Sequence, residues 1–526
     1  METVTRRPVS ARIGRDGLFL ALALMLPGVG RSAPVAPTPT VALDSGAVSG
    51  RVEDGIAVFR GIPYAAPPIG RLRWAPPAPV PAWTGVRAAT AFGPVCPQPI
   101  EPWANGETGH QSEDCLSLSV WAPADAKPGA RLPVLMWIHG GGYTAGAGSQ
   151  STYDGRALAR LGAVIVTINY RLGVLGFLAH PALTAERGTS GDYGLLDQIA
   201  ALRWIRANIA RFGGDPATVT IAGESAGGGS VLLLATSPLA QGLFQRAIVE
   251  SGAALGLPEG GRAVPDLAQA EAVGSAFARQ LRAETPAALR AIPAADLLAA
   301  KPPALSSRPI ADGQVVPGDV TLAYRAGRQA DVSLLIGWNS AEGDLFAHPA
   351  SAADYRAGLQ QSAGSHADAL LRLYPATDGP GLLKTAAAEL GDVTFGWRGL
   401  SVAEAQARTG HAPVFVYQFD NRPPRPAGSP DTPGTLHSEE LGFVWSPTLT
   451  AAWPARDRAL AGVVGRYWIN FARTGDPNGT GLPAWPRFGG ADEQVQWFKG
   501  GAARPGPVPR LAELRAVDRA ITGTAP

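Results

Sequence analysis

Cysteine is almost absent. Only Cys96 and Cys115 occur in 526 residues, which excludes a disulfide-stapled miniature scaffold and any four-cysteine metal site. No CxxC pair or His/Cys cluster suggests a metal. Lysine is nearly as scarce: four of the 45 basic residues are Lys, and the formal net charge is +2. With no long basic run there is no electrostatic footprint for nucleic acid. Long apolar runs are missing too, so nothing in the mature chain reads as a membrane span. What is abundant is glycine, 65 residues, within a chain that is 46% hydrophobic and 17% charged. That balance suits a large packed core, not a disordered chain.

The first 33 residues read as a separate unit. Arg6, Arg7, Arg12 and Arg15 precede nine apolar residues, Leu18 to Leu26, followed by Pro27 and small side chains. This is the charged-then-apolar order of a secretory signal. Residues 34–40 are a short Pro-rich linker, and 41–520 contain no further linker or repeat. The expected location is secreted or periplasmic. There, an even pair of cysteines favours one disulfide between Cys96 and Cys115.

Near the centre, short apolar runs alternate with helical periodicity. Residues 132–141, 163–170, 218–223, 332–339 and 413–420 read as buried parallel strands. Between the second and third, Leu195, Ile199, Leu202, Ile205, Ile209 and Phe212 recur every three or four residues and mark one helix face. Gly213 and Gly214 fit its end, and Pro216 forbids continuation. Strand–helix–strand alternation implies an α/β fold, one large domain with a mostly parallel, doubly wound sheet.

Against that background the segment "TIAGESAGGGSV" has a meaning. With 65 Gly and 26 Ser in the chain, roughly 0.4 chance matches to G-x-S-x-G are expected, so context must decide. Here a strand ends at Ala222 and a helix follows, the setting of a nucleophile elbow that exposes Ser225. The N–H of Ala226 would lie at a helix N-terminus, where the dipole favours an oxyanion. A serine needs a base, and the base needs an orienting acid. Of seven histidines, His437 follows a Pro/Gly loop after the last central strand and is the candidate base. Glu342 and Asp344 both follow the strand 332–339, and position alone does not separate them. "HGGGY", residues 139–143, supplies flexible N–H donors for a tetrahedral oxyanion.

These motifs resemble the type-B carboxylesterases, the carboxylesterase–cholinesterase family of α/β hydrolases, in a bacterial-type member. The likeness runs from about residue 41 to the C-terminus. Its carriers are "FRGIPYAAPPIGRLRW", "SEDCLSLSVWAP", "NYRLGVLGFL" and, above all, residues 194–228. The resemblance implies Ser225 as nucleophile, Glu342 as acid in preference to Asp344, and His437 as base. It implies oxyanion donors at Gly141, Gly142 and Ala226, a polar network of Glu224, Ser251 and Glu440, and the Cys96–Cys115 bridge. It also implies structural ion pairs Arg73–Glu113 and Arg171–Asp197. Trp103 stands where cholinesterases place a choline-binding tryptophan, but its surroundings do not otherwise match.

The expected activity is hydrolysis of small-molecule carboxylic esters through an acyl-enzyme, with no cofactor. An ordinary histidine would make activity fall below roughly pH 6 to 7. Two rival readings use the same residues: an amide or carbamate hydrolase, and a non-catalytic adhesion protein on the same fold. Members of the latter kind lose triad residues, and this chain keeps them. Asn478, Gly479 and Thr480 form a glycosylation sequon that a turn also explains.

Overall fold

The computed structural model describes residues 38–100, 109–252, 264–425, 432–445, 452–489 and 493–523. All belong to one unit, Thr38–Pro526. The expected signal segment, most of the linker and Trp103 lie outside the described residues.

Fourteen strands occur among the described residues: β1 (Thr40–Leu43), β2 (Gly46–Ser49), β3 (Arg51–Glu53), β4 (Ile56–Pro63), β5 (Val86–Ala88), β6 (Ser117–Pro123), β7 (Leu132–Ile138), β8 (Val164–Ile168), β9 (Gly214–Glu224), β10 (Arg246–Glu250), β11 (Ser333–Asn339), β12 (Val414–Asp420), β13 (Gln494–Lys499) and β14 (Ala502–Pro507). β1, β2 and β5 make a small sheet. The rest form one sheet in the order β14-β13-β12-β11-β10-β9-β7-β8-β6-β4-β3. Every pairing from β13 through β8 is parallel, and the antiparallel pairings sit at the two ends.

The central strands are apolar along their length because helices cover both faces. On one face lies the helix Tyr193–Asn208. Leu195, Ile199, Leu202 and Ile205 on it, with Ile209 and Phe212 beyond, are all buried, as their spacing predicted. Each such side chain contributes about 1.5–3 kcal/mol when removed from water. The other face is covered by the helix Ala455–Thr474 through Leu460, Val464, Tyr467, Trp468 and Phe471.

Two expected boundaries shift. Gly213 is left-handed at φ 86° and stops the helical segment, but Gly214 already begins β9. β9 also runs past Ala222 to Glu224, because Gly223 pairs with Ile138 and Glu224 with Glu250. Both shifts come from sheet pairing, which local sequence does not carry. The consequence is positional. β7, β9, β10, β11 and β12 end side by side, and the loops leaving their carboxyl ends form one rim.

Candidate active site

Ser225 follows β9 directly and caps the helix Ala226–Thr236, at φ 56° and ψ −121°. A non-glycine residue there costs on the order of 1–3 kcal/mol, which the surrounding packing must offset. The flanking glycines are what permit the turn. A side chain on Gly227 would collide with the Ile138 carbonyl, and one on Gly223 with the backbone of Gly227. Glu224 and Ala226 are buried, whereas Ser225 is half-buried and reachable.

The loop after β7 lies against this elbow. A Cβ on Gly140 would stand 2.7 Å from Glu224 Oε2 and 3.2 Å from Ser225 Cβ. Gly141 and Gly142 have φ values of 101° and 63°, open to glycine and strained for other residues. Neither donates its N–H to another described residue. Ala226 opens its helix, so its N–H is one of those a helix leaves unpaired. His139 is fixed beneath them, stacked on Tyr170 at 4.4 Å. Burial pushes its pKa down to about 4, so it stays neutral.

Glu342 and His437 meet. Glu342 Oε2 lies 2.6 Å from His437 Nδ1, while its Oε1 accepts from the Asn339 N–H at 2.7 Å and from Ser251 Oγ at 2.5 Å. Asp344 takes no part. It lines a cavity of about 640 Å³, bordered by Glu342 as well, whose walls include neither Ser225 nor His437. The other ring nitrogen, His437 Nε2, has Glu224 Oε1 at 3.2 Å. Ser438 Oγ donates to that same oxygen at 2.5 Å. Ser225 Oγ is not hydrogen-bonded to the ring in this conformation, and catalytic hydrogen bonds often tighten only once substrate is seated. Burial works to lower the His437 pKa, but the Glu224 and Glu342 carboxylates outweigh it and raise it to about 9.

The remaining expectations are placed as follows. Cys96 and Cys115 are bridged, with Cα atoms 5.1 Å apart. Arg73 forks onto Glu113 at 2.5 and 2.7 Å, and buried Arg171 onto Asp197 at 2.7 Å twice. Glu440 is fully buried and accepts from Asn339 Nδ2. Asn478 Nδ2 donates to Asp476 and to the Trp485 carbonyl, and its Oδ1 accepts from the Trp485 N–H, so the turn accounts for it.

Several contributors were not legible beforehand. Arg425 forks onto Glu439 at 2.6 and 2.7 Å, and Glu439 also accepts from the Leu436 N–H at 2.7 Å, which holds the turn carrying His437. Phe346 and Phe395 each stand 5.0 Å from the His437 ring. Phe395 sits in a π-helical stretch, Gly391–Gly396, a winding common at functional sites. No sequence motif singled out either phenylalanine.

Comparison with known proteins agrees with this geometry. The profile of the carboxylesterase family matches residues 37–503. The chain is 39% identical to the fumonisin B1 esterase of Sphingopyxis macrogoltabida, over 84% of this chain and 83% of that one. It is 38% identical to the para-nitrobenzyl esterase of Bacillus subtilis, over 84% and 91%. A solved PNB esterase structure superposes with a TM-score of 0.79 at 34% identity, covering 91% of this chain and all of that one. An elbow serine beside a glycine-rich loop, on a sheet that superposes over nine-tenths of the chain, places this protein in the carboxylesterase family as a carboxylic-ester hydrolase of the α/β-hydrolase fold.

Proposed function

We propose that Ser225, His437 and Glu342 are the catalytic triad of this esterase, with Gly141, Gly142 and Ala226 as oxyanion donors. The observation that carries the reading is the 2.6 Å contact between His437 Nδ1 and Glu342, beside a serine held at a strained elbow. His437 takes the Ser225 proton as the hydroxyl attacks the ester carbonyl, then returns it to the leaving alcohol. The three N–H groups receive the oxyanion of the tetrahedral intermediate. Glu342 fixes the ring tautomer and stabilises the imidazolium. Water then attacks the acyl-enzyme, with His437 again as base. Phe346 and Phe395 line the approach to His437 and favour substrates with an apolar group beside the ester.

Residues 1–33 are read as an export signal, which places the mature enzyme outside the cytoplasm, where the Cys96–Cys115 bridge is stable. Among the described residues no helix is long and apolar enough to cross a membrane.

The test is hydrolysis of p-nitrophenyl acetate, butyrate and octanoate by wild type and Ser225→Ala, with the matched anilides alongside. Loss of at least about 10³-fold in the variant is expected, with esters favoured over amides. Full activity in Ser225→Ala overturns the triad, and a preference for anilides overturns the ester reading in favour of an amidase.

A further inference from the structure

A third buried carboxyl lies behind the site. Glu250 ends β10 and is fully buried. Its backbone carbonyl accepts the Ser225 N–H at 2.9 Å, and the next residue, Ser251, holds Glu342. Its side chain therefore anchors the strand end that ties the nucleophile to the acid. We propose that Glu250 is a positioning residue kept neutral during catalysis, so that the negative charge of the buried carboxyl cluster rests on Glu224, beside His437. This rests on the triad reading above.

The donors decide which carboxyl is ionised. Glu224 Oε1 receives Ser438 Oγ at 2.5 Å and faces His437 Nε2 at 3.2 Å. Glu250 has one donor, Trp468 Nε1, at 2.8 Å on Oε1, and its Oε2 has no partner. Glu440 Oε1 and the Tyr417 hydroxyl are buried without partners as well. The groups acting around Glu250 are Glu224 on β9, Glu440 beyond His437, Tyr417 on β12, Tyr153, and Trp468 on the helix Ala455–Thr474. All are acids or neutral donors. On its own strand the basic residue Arg246 stands at the opposite end.

Neighbouring carboxyls in a dry site do not all ionise together. Burial, reinforced by the Glu224 charge, pushes Glu250 up to about 8. A neutral Glu250 leaves Glu224 free to be the anion that meets the imidazolium. Ionising Glu250 releases its proton to solvent and sets a second negative charge against Glu224, its register partner on β9, so that the two strand ends behind Ser225 repel. An alkaline fall in kcat is therefore expected, with Glu250 as its source.

The experiment measures kcat and KM against pH for p-nitrophenyl acetate with wild type, Glu250→Ala and Glu250→Gln, using the full chain. Infrared difference spectra across the alkaline titration accompany it. Glu250→Ala is expected to lower kcat about tenfold with little change in KM, and Glu250→Gln, a neutral isostere, to restore most of it. The alkaline fall should vanish in Glu250→Gln. Wild type should show a protonated-carboxyl C=O band at neutral pH that disappears on titration and is missing in Glu250→Gln. A folded Glu250→Gln that is about 100-fold down at neutral pH overturns the proposal. So does an alkaline fall that persists in it, or a wild-type spectrum without the band. Activity retained in Ser225→Ala defeats the triad reading instead, while the infrared band still decides the protonation of Glu250.

Discussion

Ala341 and Leu436 pair in a single parallel β-bridge, and the next residue along each segment is Glu342 and His437 respectively. The Ala341 N–H donates to the Thr435 carbonyl at 2.9 Å, and Asn339 Nδ2 donates to the Leu436 carbonyl at 2.9 Å. Two loops 95 residues apart are thus joined by backbone as well as by the Glu342–His437 contact. It is Glu342, not Asp344 two residues on, that this pairing brings to His437. Glu342→Gln is therefore expected to lower kcat by about 10³–10⁴-fold by favouring the wrong tautomer. Asp344→Asn should leave it within about threefold. Steady-state kinetics on the two variants checks this, and the reverse ranking would transfer the acid to Asp344.

Glu224 is expected to govern the acid limb of the pH profile. It is the largest of the influences that raise His437, acting against burial, and the resulting value is about 9. Removing its charge in Glu224→Gln leaves Glu342 alone to oppose burial, so the His437 pKa falls and the ring stays neutral to lower pH. The acid limb of kcat/KM should move down by about one unit or more, with a lower plateau. An unmoved limb would show that Glu224 carries no charge near the ring.

Folding stability should fall as pH rises from mildly acidic towards about 9. His437 is raised above its ordinary 6.5, so its contribution is complete below that value and is lost as pH passes about 9. Glu250, raised from 4.5 to about 8, acts in the same direction: its contribution is lost as pH rises through about 8. Urea midpoints across this window should decline, by about 1 kcal/mol or more in unfolding free energy. A flat or rising midpoint contradicts the shifts.

Gly227 and Gly462 should respond oppositely to alanine. The first has the Ile138 carbonyl where a Cβ would be, whereas the second lies mid-helix with open space around it. Gly227→Ala is expected to cost about 3 kcal/mol or more and to abolish activity through the distorted elbow. Gly462→Ala should add about 0.5–1 kcal/mol and leave kinetics alone. Thermal melts with residual activity decide both.

The bridge between Cys96 and Cys115 closes a short loop, with a sequence separation of 19. Replacing both by Ala should cost about 3 kcal/mol by the loop-entropy relation. Denaturant titration of the double variant measures it, and kcat should change little because neither sulfur borders the elbow.

The sequence by itself determined the features whose causes are local. The three-and-four spacing from Leu195 to Phe212, the apolar strands and the glycine-flanked Ser225 could all be read because each depends on neighbours in the chain. Tertiary structure alone decided the rest. Residue spacing favoured neither Glu342 nor Asp344; the Ala341–Leu436 bridge separates them. The contacts of Phe346 and Phe395 with His437, and the place of Glu250 behind Ser225, join segments that the chain keeps apart. So does the charge on His437. A pKa is set by burial and by the groups that face it, and here those groups, Glu224 and Glu342, stand at the ends of two different strands.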